Sequence, residues 1–308
     1  MSLRDARSSR GQGQLFDHED EVRRRLELSG LEVIERRELA NGLRLVVRGA
    51  DGVSVAINVY YSGKKGLSIV PSGGDAALQA RIGTLFARRA ASTGFPVIGQ
   101  DEAGKGDYFG SLVVAGFHAD ERVSRELTGM GVSDSKTLSN SRVLKLAARL
   151  RADFDGFWSV VSIPPEEYNL RFGKLRESGM NSLDLLAEAH AEALERLLES
   201  GLRPRSVVID MFCSRKRLDR HLRDRPGLEI ILRERAESEP AVAAASILAR
   251  AAYLESLEAL GRESGLELVP GSGREADAIG SRLLARVGEE ALGRFAKLHF
   301  RNTLRLRS

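Results

Sequence analysis

Tight-turn signals in quick succession constrain the front of this chain more than any other feature. Asn41-Gly42, Asp51-Gly52 and Gly63-Lys64-Lys65-Gly66 separate the short runs LEVIERREL, LRLVVRG, VSVAINVYYS and LSIVP. Asn-Gly and Asp-Gly readily supply the positive-φ backbone of a short hairpin, so the spacing predicts a four-stranded antiparallel meander. In its second strand Leu43, Leu45 and Val47 share one face and Arg44 and Arg48 the other. SGGDAALQARIGTLFARRA reads as a helix capped near Asp75 that covers the apolar face, and EDEVRRRLELSG as a shorter helix ending at Gly30. Together they predict a small α+β domain over 19–92, after a polar tail over 1–18 and before a linker near STGFP.

From Pro96 the texture changes. Strand-like runs (PVIG, SLVVAGFH, GFWSVVSI, SVVIDMF, LEIILRE) alternate with helical ones, which is an α/β pattern and predicts a second domain over 96–308. One helix starts at Asn181 or Ser182, with Leu183, Leu186, His190, Ala193 and Leu197 at helical spacing. Another opens at Pro240, and its small residues predict close packing on the sheet. A chain of 308 residues is long enough for two domains. Its 42% hydrophobic and 29% charged content is that of a soluble protein, and no run has the length of a membrane span. The single Cys213 excludes an internal disulfide and points to a reducing, cytoplasmic setting. The net charge of +4 and pI near 9.3 lean mildly toward polyanionic partners.

PVIGQDE is an apolar strand ending in two acids, Asp101 and Glu102, beside a Gly104-Lys105-Gly106 turn. SVVID ends in Asp210 and EIILRERAESEP runs into Glu237 before a helix. Four carboxylates at sheet termini could converge on one point. That would suit a hard divalent cation, and two such ions about 4 Å apart can drive phosphodiester cleavage. A plainer reading makes Asp101-Glu102 a solvated loop and Glu237 with Glu239 a favourable charge at a helix start. Asp210 resists it, since an acid followed by Met211 and Phe212 needs a partner. GKGDYFG has neither the spacing of a dinucleotide fingerprint nor the ending of a P-loop; its glycines would let a ligand approach the backbone.

DEAGKGDYFG, SDSKTLS from Ser133, Tyr168-Asn169, Met180-Asn181, VIDMF, AVAAASILAR and AKLHFRNT together resemble the type 2 ribonucleases H along nearly the whole second domain. Asp107-Tyr108-Phe109, the closing AKLHFRNT and a final Glu point to ribonuclease HIII over ribonuclease HII. The resemblance implies an RNase H-like mixed sheet flanked by helices, and an N-terminal domain resembling the TATA-binding-protein fold, where VYYSGKK is similar to a family segment. It implies hydrolysis of the RNA strand of an RNA–DNA hybrid with Mg2+ or Mn2+, leaving 5′-phosphate and 3′-hydroxyl ends. Asp101, Glu102, Asp210 and Glu237 would be the metal-binding carboxylates, with Glu239 the alternative to Glu237. Backbone groups of Gly104, Lys105 and Gly106 would touch ribose 2′-hydroxyls. Ser111 stands where the family usually has proline. LVPGSG has no lysine after its proline, where the family often places one, so a phosphate there is either left unheld or met by Arg274.

Among supporting residues, Lys136 is a candidate phosphate ligand, and Arg44, Arg48, Lys64 and Lys65 make the meander's outer side a hybrid-binding face. Of Tyr60 and Tyr61, at most one faces outward. His190 reads as a hydrogen-bonded core histidine, His299 as core or site rim, and Arg215-Lys216-Arg217 with Arg220 as either a solvated helix face or a nucleic-acid contact beyond the metals. Two rival functions are incision at single ribonucleotides in DNA, as by ribonuclease HII, and nucleic-acid binding without catalysis. A monomer is the default expectation.

Overall fold

A computed structural model describes residues 19–20, 22–39, 42–62, 66–86, 94–132, 138–222 and 225–306. Lys64, Lys65 and Lys136, the tail over 1–18 and the linker around 90–93 lie outside the described residues. The chain packs as two compact units, Met1–Arg89 and Ala90–Ser308.

In the first unit, strands β1 (Glu32–Leu39), β2 (Gly42–Arg48), β3 (Ser54–Ser62) and β4 (Gly66–Gly74) form an antiparallel sheet in chain order. The Asp51-Gly52 turn closes as its residue types require: Gly52 takes φ +82°, and Asp51 Oδ1 accepts from Val53 N–H at 3.1 Å. Leu43, Leu45 and Val47 of β2 and Val55, Ile57 and Val59 of β3 bury one face. Against it lie helix α1 (22–28), through Val22 and Leu26, and helix α2 (Ala76–Phe86), through Leu78 and Ile82. Asp75 caps α2 by accepting from Leu78 N–H at 2.8 Å. The other sheet face carries half-buried Arg44 and exposed Arg48, and Arg44 stands opposite Arg37 in register. Tyr60 is half-buried opposite Ser68.

The second unit holds a mixed five-stranded sheet, order β7-β6-β5-β8-β9. Its strands are β5 (Val97–Ala103), β6 (Leu112–Ala119), β7 (Trp158–Ile163), β8 (Ser206–Asp210) and β9 (Glu229–Arg233). β5, β6 and β7 pair antiparallel, whereas β8 and β9 run parallel to β5. Helices α3 (Glu121–Gly129), α4 (Asn140–Asp153), α5 (Pro165–Glu177), α6 (Ser182–Glu199), α7 (Arg215–Leu218), α8 (Pro240–Ser264), α9 (Arg274–Leu292) and α10 (Arg301–Leu306) surround it. Asn181 caps α6 in a reciprocal box with Asp184.

α6 covers one sheet face and α8 the other. The small residues of α8 allow an unusually close approach: a Cβ on Gly99 of β5 would lie 2.1 Å from Val242 N and 2.2 Å from Ala241 C. Val97, Gly99 and Asp101 therefore look toward α8, and Ile98, Gln100 and Glu102 toward α6. Among the described residues no helix is long and apolar enough to cross a membrane.

Candidate active site

β5, β8 and β9 run in the same direction, so their carboxyl ends share one edge of the sheet, where open α/β sheets place ligands. Gln100 pairs with Ile209, which sets Asp101 and Asp210 on neighbouring strand ends. Asp101 is only 4% exposed. Burial and the negative charges of Glu102 and Asp210 push its carboxyl up to about 7, against the opposing hydrogen bonds of the Ser246 hydroxyl and Glu102 N–H. Asp210 Oδ1 accepts from Ala236 N–H at 3.0 Å, tying β8 to the 3-10 turn Ala236–Ser238 that carries half-buried Glu237. Glu239 is buried and stands at the N-cap position of α8, with no side-chain capping hydrogen bond.

Glu102 lies on the opposite side of β5 with different company. His190 Nε2 lies 3.4 Å from Glu102 Oε2, and Lys105 Nζ donates to Oε1 at 3.0 Å. Burial raises the Glu102 carboxyl, but His190 and Lys105 together hold it below the ordinary range. His190 is fully buried on α6, stacked on Phe212 at 4.5 Å, and its Nδ1 faces Gln100 Oε1 at 3.4 Å. It is a core histidine, as its spacing predicts, and it also orients Glu102. The sequence holds no signal for that second part, because helical period fixes a face and not which strand residue meets it.

The glycine loop is anchored from beneath. Gly104 takes φ +81°, and a Cβ there would lie 2.0 Å from Ser111 O; a Cβ on Gly106 would meet nothing within 4 Å. Asp107 Oδ1 accepts from Gly271 N–H, and Tyr108 N–H donates to Gly271 O at 2.9 Å. The short PGSG segment is thereby clamped to the loop without a lysine. Lys297 is fully buried below the loop, donating from Nζ to Gly110 O at 2.5 Å and to Phe109 O at 3.4 Å. Burial pushes its amine down to about 7 despite the favourable charge of Asp107.

Other candidates settle into structure. His299 stacks on Tyr168 and lies tilted against Phe172, and burial with the charges of Lys297 and Arg176 drives it down to about 4. Arg217 closes on buried Asp184 at 2.5 Å, and Arg215 pairs with Asp219 at 2.6 Å. Arg274 is exposed at the start of α9. Two residues beside the acids give no signal in the sequence: Ser246, the sole hydroxyl in AVAAASILAR, and Arg235, which adopts φ 53°.

No three of Asp, Glu, His and Cys are gathered as a closed ligand cage among the described residues. An ion of the Mg2+ type does not need one: one or two carboxylates, waters and a substrate phosphate complete its shell. Burial, with the charges of Glu102 and Asp210 beside it, holds the Asp101 carboxyl up at about 7, so these acids form a donor set short of positive charge and fit such a cation.

The family model described as Ribonuclease HII matches residues 98–303. A ribonuclease HIII of Streptococcus pyogenes serotype M5 (strain Manfredo) is 33% identical over 258 residues, which are 81% of this chain and 84% of that protein. A crystal structure of Bst-RNase HIII in complex with Mn2+ superposes with a TM-score of 0.66 at 29% identity, covering 96% of this chain and 95% of that one. A structure of the PCNA:RNase HII complex from Archaeoglobus fulgidus gives a TM-score of 0.56 at 28% identity, covering 69% of this chain and 97% of that one.

Proposed function

Because this chain belongs to the ribonuclease HII family, and to its ribonuclease HIII members by likeness along most of its length, we propose that it is an endoribonuclease cutting the RNA strand of RNA–DNA hybrids. The cleavage uses Mg2+ or Mn2+ and leaves 5′-phosphate and 3′-hydroxyl ends. The observation that carries this reading is the buried Asp101 beside Asp210 at the carboxyl edge of the sheet, two acids whose charges oppose each other until a cation joins them. The Mn2+ in the Bst-RNase HIII structure supports the choice of ion.

Asp101, Glu102, Asp210 and Glu237 hold the ions, which when bound supply an activated water and neutralise charge gathering on the phosphate. Ser246 fixes Asp101, Ala236 N–H fixes Asp210, and His190 with Lys105 fixes Glu102, so the carboxylates are oriented before substrate arrives. The backbone of Gly104, Lys105 and Gly106 reads ribose 2′-hydroxyls, and the open space above Gly106 lets a sugar approach it. Lys136 takes a phosphate, and Arg44, Arg48 and Lys64 hold the hybrid from the N-terminal domain over 19–92. The like-charged pair Arg37 and Arg44, opposite each other in register, favours a polyanion on that face.

The deciding experiment incubates the protein with an end-labelled RNA–DNA hybrid and with a duplex holding one ribonucleotide, in Mg2+, in Mn2+ and in chelator. Cuts along the hybrid that need the ion and expose 5′-phosphates are expected. Incision at the single ribonucleotide alone would reassign the enzyme to the ribonuclease HII specificity, and binding without cuts would make it a non-catalytic binder.

His190 gives a second expectation. Loss of an orienting partner of a metal ligand costs roughly 10–100-fold in ion affinity or activity. His190→Ala should weaken Mn2+ binding and slow single-turnover cleavage on that scale, while His190→Gln, which can still donate to Glu102, recovers part of both. Equal loss in the two variants, tracking only a lower Tm, would reduce His190 to packing.

A further inference from the structure

β9 ends one strand outward from Asp210, with Arg233 as its register partner. Val208 and Ile231 pack toward α8, so Asp210 and Arg233, two residues further along each strand, project from that same sheet face. They do not pair: the Asp210 carboxylate turns to Ala236 N–H. Arg233 Nη1 is sealed from solvent with no hydrogen-bond partner, and among the described residues the guanidinium enters no ion pair. Arg233 as a whole is only half-buried, so the rest of this permanently charged guanidinium is open to an anion, while its sealed Nη1 is a donor left expensively unmet.

Two residues on, Arg235 adopts φ 53° and ψ 51°, the left-handed region, where it is the sole non-glycine residue with positive φ among those described. Glycine fits that region without strain, and arginine does not. Arg235 is nonetheless there, exposed and without a partner among the described residues, directly before the Ala236 whose N–H holds Asp210. Backbone strain retained at the edge of a reaction centre is a sign of function.

We propose that Arg233 and Arg235 form a phosphate subsite on the β9 side of the acid corner, which grips a sugar-phosphate backbone next to the bond to be cut. Arg233 reaches the phosphate from inside the sheet edge and Arg235 from the rim, with forked guanidinium groups matched to phosphate oxygens. The acids repel a polyanion, and two cations flanking them offset that repulsion on the side where the strand leaves. This subsite rests on the hybrid-cleaving reading above.

The experiment measures hybrid binding by fluorescence anisotropy in chelator at several salt concentrations. It compares the full-length protein with Arg233→Met, Arg235→Gly and Arg235→Lys, and records Tm and cleavage for each. Arg235→Gly relieves the left-handed strain, so its Tm should hold or rise while hybrid affinity falls roughly fivefold and the slope of log K against log salt shrinks by about 0.9. Arg233→Met keeps the apolar stem and removes the half-buried charge, with the same shrinkage expected; Arg235→Lys should keep the slope. Unchanged slopes in Arg235→Gly and Arg233→Met, with the parent protein still binding and cutting hybrid, overturn the subsite and leave the ribonuclease reading standing. Should Arg233→Met fail to fold, Arg235→Gly alone decides. A parent protein that neither binds nor cuts hybrid overturns both.

Discussion

Asp101→Asn and Asp210→Asn are each expected to slow single-turnover cleavage of an RNA–DNA hybrid by about a thousandfold or more. That equals roughly 4 kcal/mol of lost transition-state stabilisation, at 1.36 kcal/mol per tenfold, a fitting scale for a carboxylate that holds a catalytic ion. Hybrid affinity in chelator should persist or tighten, because each change removes a negative charge from beside the substrate phosphates. Asp101→Asn carries a second signature. The folded protein raises this carboxyl to about 7 through burial and the neighbouring acids, whereas the unfolded chain ionises it near the ordinary value of about 3.9. Between those values the folded state binds more protons, so its stability falls as pH climbs through the window. With ions chelated, Asp101→Asn should gain Tm relative to the parent as pH rises from about 4 to about 7, and stay level below it. An inactive but stabilised variant is expected; an active one, or one no more stable at pH 7 than at pH 4 relative to the parent, would refute the role given to this acid.

Lys297→Ala should produce the largest loss of stability of any change named here. The ammonium is fully buried under the glycine loop and bonded to Gly110 O and Phe109 O. Truncation leaves a cavity and two carbonyls without their donor, together about 3 kcal/mol or more. The loop would sag, and cleavage should drop at least tenfold even at temperatures where the fold survives. Lys297→Met restores the stem without the donor and isolates the titration. The folded pKa sits at about 7, below an unfolded value of about 10.4, so the unfolded chain binds more protons between them and stability rises with pH there. Relative to Lys297→Met, the parent should gain stability from about pH 7 to pH 10 in chemical denaturation. A flat difference across that range would mean the amine is not desolvated as described.

The Asp51-Gly52 turn and the capped helices were legible because local backbone demands a residue type: Gly52 at positive φ, Asp75 and Asn181 at helix starts; Asn41 of the first hairpin dipeptide lies outside the described residues. The acid corner was partly legible. An apolar run that ends in Asp declares a strand terminus, yet only the parallel pairing of β5 with β8 sets Asp101 beside Asp210. The alternation of β5 also sends Asp101 and Glu102 to opposite faces, so adjacent acids in the chain acquire unlike surroundings and opposite shifts. The burial of Lys297 and the sealed Nη1 of half-buried Arg233 were not legible at all, since a lysine or arginine is ordinarily solvated and nothing in its neighbours announces otherwise. Their positions follow from long-range packing, which no local pattern encodes.

The missing side chain at Gly99 fixes more than a packing distance. Main-chain atoms of α8 rest on main-chain atoms of β5 there, and this contact has no rotamers to exchange. Two residues downstream on the strand stands Asp101, and four residues along the helix from Val242 stands Ser246. The spacing between hydroxyl and carboxylate is thus gauged by a hard stop, like a shim between two plates. Drift elsewhere in the interior can be absorbed by neighbouring side chains, but a change in this shim passes undamped to the acids.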